Sequence, residues 1–246
     1  MRIAAGMQSA LRTIWFDRRP HTYHFIHIPK NGGRSIRRAL SMRPEVSLSK
    51  EYHHRYVDIA GRIGRDLQYF SVIRNPWSRT ASRYVFGKNN ARKWPDSDPR
   101  KQYLTNATFR DYVTEQRILP IPEHPNAPWM GPLSSWFNQI EWIRDEAGNV
   151  VCDCLRLETI DSDISAYFGR KLSIPHREST RTATYDYRKM YTDDLAEIVG
   201  NTFHQDIEYF GFSFDGPATR NVYVMQAPSC RSGRHGMRDV RSIAQR

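Results

Sequence analysis

Two short stretches of this chain combine residue types that can hold an anion. Pro29-Lys30-Asn31-Gly32-Gly33-Arg34-Ser35 follows the apolar, β-prone run Tyr23-His24-Phe25-Ile26-His27-Ile28, and a helical pattern then starts at Ser35-Ile36-Arg37-Arg38-Ala39-Leu40. A strand feeding a Gly-Gly turn and then a helix turns backbone N–H groups outward, where the helix dipole also favours negative charge. Lys30 adds a mobile ammonium and Ser35 a hydroxyl. In the second stretch Arg74 follows Tyr69-Phe70-Ser71-Val72-Ile73, Asn75-Pro76 turns the chain, and Ser82 stands eight residues after Arg74, on the first turns of the next helix. A guanidinium at a strand end and a hydroxyl near a helix N-terminus can converge on one phosphate. The chain contains no G-x-x-x-x-G-K-[ST] sequence, so the loop is not a Walker A loop.

The elements that must position these residues are legible from apolar spacing. Helical patterns cover Asp58 to Leu67, with Gly61 and Gly64 as weak points, then Thr80 to Phe86, Leu133 to Arg144, Ile160 to Phe168 and Asp193 to Tyr209. Buried-strand patterns cover Tyr69 to Ile73 and Val150 to Leu157. Alternating strands and helices predict an α/β fold: a single domain with a central, mostly parallel sheet flanked by helices, and a P-loop-like nucleotide-binding core. Residues 1–20 read as a basic N-terminal segment, 21–215 as the domain and 216–246 as a flexible basic tail. Within the domain, residues 88–132 are rich in Pro, Asn, Trp and charge. They read as variable surface structure on the acceptor side, with one helical patch from Phe109 to Gln116.

Composition narrows the function classes. No stretch of the 246 residues approaches the roughly 18 to 20 uninterrupted apolar residues of a membrane-spanning helix, so no transmembrane segment is expected. Residues 1–20 lack a continuous apolar core and a small-residue cleavage site, so no secretory signal is read. Three cysteines, an odd count, favour a reducing compartment, and the expected localisation is cytoplasmic. Cys152 and Cys154 fall on one face of a strand as two small buried thiols. No second Cys or His pair stands at ligand spacing, so no metal site is assigned. The formal charge is +11, but residues 1–50 hold 10 Lys/Arg against 2 Asp/Glu and residues 216–246 hold 6 against 1, whereas the middle is slightly acidic. An anionic small ligand and a solvated tail account for this as well as nucleic acid does.

Taken together, the two stretches resemble the sulfotransferases that use 3'-phosphoadenosine 5'-phosphosulfate (PAPS). The likeness is to the glycan sulfotransferase branch, with its HIPK-x-G-G-x-S loop and V-x-R-[ND]-P-x-x-R-x-x-S-x-Y segment. Here these stand as His27-Ile28-Pro29-Lys30-Asn31-Gly32-Gly33-Arg34-Ser35 and as Val72-Ile73-Arg74-Asn75-Pro76-Trp77-Ser78-Arg79-Thr80-Ala81-Ser82-Arg83-Tyr84. The likeness extends to Cys154-Leu155-Arg156-Leu157-Glu158 and to Asp206-Ile207-Glu208-Tyr209-Phe210-Gly211-Phe212, and covers roughly Tyr23 to Phe214. Two departures are Asn31, where the family usually has Thr or Ser, and Arg34, where it often has Thr.

The resemblance implies that Lys30, Asn31, Gly32, Gly33, Arg34 and Ser35 hold the 5'-phosphosulfate of PAPS and that Arg74 with Ser82 holds the 3'-phosphate. It also implies a His between the two motifs as the base for the acceptor proton. Spacing favours His53, with His54 in reserve, and Lys30 meets the bridging oxygen as it leaves. Transfer is expected without a metal, because Lys30, Arg34 and the loop amides supply the countercharge. The expected partner is a hydroxylated acceptor, a glycan or glycoconjugate, with no specific nucleic acid. Trp129 is the preferred acceptor contact among Trp94, Trp129 and Trp136, and His124 and Glu123 are placed to bind hydroxyls. Two other readings remain: a nucleotide-dependent kinase, which would need Mg²⁺ ligands not evident in the sequence, and a basic nucleic-acid-binding protein.

Overall fold

A computed structural model of the chain describes residues 22–49, 53–118, 136–175 and 186–223. Four strands, β1 (Tyr23–Ile26), β2 (Val46–Ser47), β3 (Gln68–Ile73) and β4 (Asp153–Arg156), form one sheet in the order β2-β1-β3-β4, and every pairing is parallel. Eight α-helices occur among the described residues: α1 (Gly33–Leu40), α2 (Tyr56–Ile63), α3 (Pro76–Ala91), α4 (Pro99–Asn106), α5 (Phe109–Glu115), α6 (Ile160–Tyr167), α7 (Asp193–Thr202) and α8 (His204–Phe210). The expected α/β fold with a parallel sheet flanked by helices is therefore present. No helix among the described residues is long and apolar enough to cross a membrane.

Side-chain alternation along β3 divides the core. Phe70 and Val72 face one side, where Ile36 and Leu40 of α1 and Ile160 and Ile164 of α6 cover them. Tyr69 and Ile73 face the other, against Tyr56 and Ile59 of α2, Trp77 of α3, Val199 of α7 and Phe210 of α8. The helix after β1 and the helix after β3 thus lie on opposite faces. The chain leaves β1 toward β2 and leaves β3 toward β4, so the loops after these two adjacent strands diverge. In open parallel sheets this switch point is where a ligand crevice forms, outside the carboxyl ends of the strands.

Several expected boundaries move for physical reasons. The helix expected over Thr80 to Phe86 starts at Pro76 and runs to Ala91: Pro occupies the first turn, and the Asn75 side chain caps it by accepting from Ser78 N at 3.1 Å. In place of the helix expected from Leu133 to Arg144, the described part forms only a 3-10 turn at Gln139–Trp142. There the N–H groups of Gln139 and Ile140 donate to the Asp206 carboxylate at 2.7 and 2.9 Å instead of opening a longer helix. The pattern from Asp193 to Tyr209 breaks at Phe203 into α7 and α8. The segment expected at the surface after Lys88 contributes Leu104, Tyr112 and Val113 to the core. Residues 216–223, expected in the tail, dock on the domain. Ala218 is buried, Thr219 and Arg220 N–H groups cap the Phe210 carbonyl at 2.9 and 3.0 Å, and Tyr223 N donates to Cys154 O at 2.8 Å. Backbone hydrogen bonds rather than an apolar periodicity hold this stretch, so no helical or strand pattern marks it. The rest of the tail and residues 1–20 lie outside the described residues.

Candidate functional site

The loop after β1 is shaped by two left-handed residues, Lys30 at φ 69° and Gly32 at φ 73°. Gly32 suits that conformation, and a Cβ there would also come within 2.6 Å of Leu157 Cδ1. At Gly33 a Cβ would fall 1.8 Å from the His27 ring, so glycine is required for α1 to start where it does. No side chain caps α1 and its first turn holds no acid, so nothing acidic opposes the positive end of its dipole beside the loop. Arg34 is exposed and Ser35 half-buried on that first turn.

The loop after β3 meets this one. Arg74 Nη1 donates to the Lys30 carbonyl at 3.0 Å, while its Nε and Nη2 donate to Ser78 Oγ at 3.0 and 2.8 Å. Lys30 Nζ lies 4.0 Å above the ring of Phe86 on α3. Lys30 and Arg74, 44 residues apart, are thus brought together. Ser82 sits one turn beyond Ser78 along α3 and on the same face, but the hydroxyl on the guanidinium is that of Ser78. The four-residue spacing from Arg74 was the available signal for Ser78.

The Asn31 side chain, expected among the phosphosulfate contacts, turns into the protein. It is buried, and its amide donates to Val72 O and to Gln139 Oε1, both at 2.7 Å, so both of its hydrogens are used inside the protein. Asn31 therefore anchors the loop to the end of β3 and has no side-chain donor left for an oxyanion. Its partner Gln139, which the sequence reading missed, also accepts from Arg74 N at 2.9 Å and donates to Arg74 O at 2.8 Å and to Asp206 at 3.1 Å. One buried amide thereby fixes both loops. The signal was Asp206, a carboxylate on the apolar face of a helix at helical spacing from Phe203 and Phe210.

Charged groups of both signs are buried behind the two loops. Arg79 and Arg83 of α3 are fully buried. Arg79 donates to Pro29 O and Phe137 O at 3.2 Å each, directly behind Lys30. Burial, with Arg83 beside it, pulls the Arg79 guanidinium down from its usual value to about 9, and the Asp206 charge works the other way. Burial also lowers Arg83, which stacks on Trp136 at 4.8 Å. Asp206 is itself pushed up by burial, against the pull of the Gln139 and Ile140 N–H groups. Glu158 is raised by burial too, although it accepts from Asn75 N at 2.8 Å. The Asn75 amide donates to Ser213 O at 2.8 Å and Gly216 O at 2.9 Å, tying the loop after β3 to the C-terminal stretch.

His53 and His54 are half-buried just before α2, and the His53 ring lies 4.6 Å from the ring of His27. His53 is therefore connected to the first loop through the residue that packs on Gly33. Trp136 belongs to the core, stacked with Arg83 and Phe203, and Trp94 is stacked by Arg100 at 4.7 Å. Trp129, His124 and Glu123 lie outside the described residues. Cys152 and Cys154 are buried and burial pushes both thiols up, as inert interior groups. Comparison of the chain with protein-family models, with curated proteins and with solved structures finds no match.

Proposed function

We propose that this chain is a sulfotransferase with a P-loop-like nucleotide-binding core, transferring a sulfuryl group from PAPS to a hydroxyl of a glycan or other hydroxylated acceptor. The observation that carries this reading is the 3.0 Å hydrogen bond from Arg74 to the Lys30 carbonyl, which makes the Lys-x-Gly-Gly loop and the Arg74 segment one site. The uncapped N-terminus of α1 and the cations on and behind the loop give that site the charge and donors that a phosphosulfate and a 3'-phosphate require.

In this reading the α1 amides and Ser35 hold the 5' anion, and Arg74, Ser78 and Ser82 form the face that meets the 3'-phosphate. Lys30 must leave the Phe86 ring to reach the bridging oxygen, where its ammonium offsets the charge that builds up as the S–O bond to the 5'-phosphate breaks. His53 takes the acceptor proton as the new S–O bond forms. No step calls for a divalent metal.

The test is a comparison of adenosine 3',5'-bisphosphate (PAP) with adenosine 5'-phosphate. PAP is expected to bind ten-fold or more tightly in calorimetry, because losing the charge-assisted contact to Arg74 costs about 1.5 to 3 kcal/mol. Equal affinities would remove the 3'-phosphate site. ATP binding and phosphoryl transfer restored by Mg²⁺ would favour a kinase instead.

A further inference from the structure

We propose that His27 is the positioning residue for His53, a claim that rests on the sulfotransferase reading and adds a residue to it. His27 closes the carboxyl end of β1 and is only 5% exposed. One side of its ring stacks on Phe25 at 5.9 Å and 17°, and Phe25 in turn packs on Phe70 in the central strand. His27 also fills the volume that any side chain at position 33 would need. It meets the His53 ring at 4.6 Å and 60°. A single flat side chain, held by the sheet, therefore touches both the first residue of α1 and the proposed base.

That arrangement sets the distance between the anion loop and the base. His53 precedes α2 in a stretch without regular secondary structure, so its own backbone fixes it less firmly than a helix or strand would. The His27 ring supplies the rigid wall. A displacement of about 1 Å at a reacting group can cost 10²-fold in rate even when the ligand still binds. The role assigned is steric: it requires a planar ring at position 27 and no particular ring nitrogen.

The experiment is a double-mutant cycle on PAPS turnover to PAP, with water as the simplest hydroxyl acceptor, and PAP calorimetry on each variant. His27→Ala is expected to lower kcat about 10- to 100-fold with PAP affinity unchanged. His27→Phe, which keeps the ring, is expected to stay within several-fold of wild type. In the His53→Ala background, His27→Ala is expected to cause no further loss, since the group through which it acts is gone. Losses that multiply across the cycle overturn the inference, as does a PAP-binding His27→Phe protein as slow as His27→Ala. If His27→Ala does not fold, the His27→Phe rate decides alone: near-normal turnover supports the steric role and loss of more than ten-fold with PAP bound rejects it. Wild-type protein that neither binds PAP nor consumes PAPS brings down the reading of the whole site, a result distinct from the multiplicative one.

Discussion

His53→Ala is expected to reduce sulfuryl transfer from PAPS by about 10² to 10⁴-fold while leaving PAP affinity nearly unchanged. An alcohol oxygen becomes a competent nucleophile only as its proton is removed, and the His53 imidazole is the proposed acceptor of that proton. His53 stands one ring away from Gly33 through His27, whereas the proposed anion contacts are the α1 amides, Lys30 and Arg74. Rate and affinity should therefore separate. Steady-state turnover beside calorimetry checks this. If His53→Ala keeps its rate and His54→Ala loses it, the base is His54; if both keep it, neither His53 nor His54 is the base.

The second large effect is on stability. Asp206→Ala is expected to destabilise the fold by about 3 to 5 kcal/mol, because the substitution leaves buried donors without an acceptor and buried guanidinium charge without its opposing carboxylate. The donors are Gln139 N, Ile140 N and Gln139 Nε2, and the charge is that of Arg79. For a chain of this size the melting temperature should fall by roughly 10 °C or more. PAP affinity should fall as well, because Gln139 is the amide that holds Asn31 and Arg74 together. Differential scanning calorimetry with and without PAP measures both. An unchanged melting temperature would show that the buried network contributes little.

These residues also mark the limit of what the sequence made legible. A strand, a Gly-Gly turn and a helix start at Lys30 follow from local chemistry, as do the parallel order of alternating elements and the turn at Asn75-Pro76. The meeting of Lys30 with Arg74 follows from the parallel pairing of adjacent strands. Gln139 and Asp206 were not legible as a pair because they lie 67 residues apart and join through backbone N–H groups that no pattern displays. Asn31 was expected to contact the phosphosulfate because the resemblance sets it among the loop residues that hold that group, yet the loop folds its amide back under β3. The sequence pattern did not place Arg79, and only packing shows that it is buried behind the loop. His27 read as part of an apolar run, and its importance lies in the space it takes from Gly33. Residues 216–223 gave no periodicity because they form an irregular, bent stretch held by backbone hydrogen bonds to the end of α8 and to β4.

The most direct test of the central claim is to incubate the full chain with ³⁵S-labelled PAPS and a panel of glycans, lipids and small hydroxylated metabolites, in the presence of EDTA. Label is expected on at least one hydroxylated acceptor with stoichiometric release of PAP, and Lys30→Ala is expected to lose both. Failure to bind PAP or consume PAPS, together with transfer of the terminal phosphate of ATP once Mg²⁺ is supplied, would contradict it.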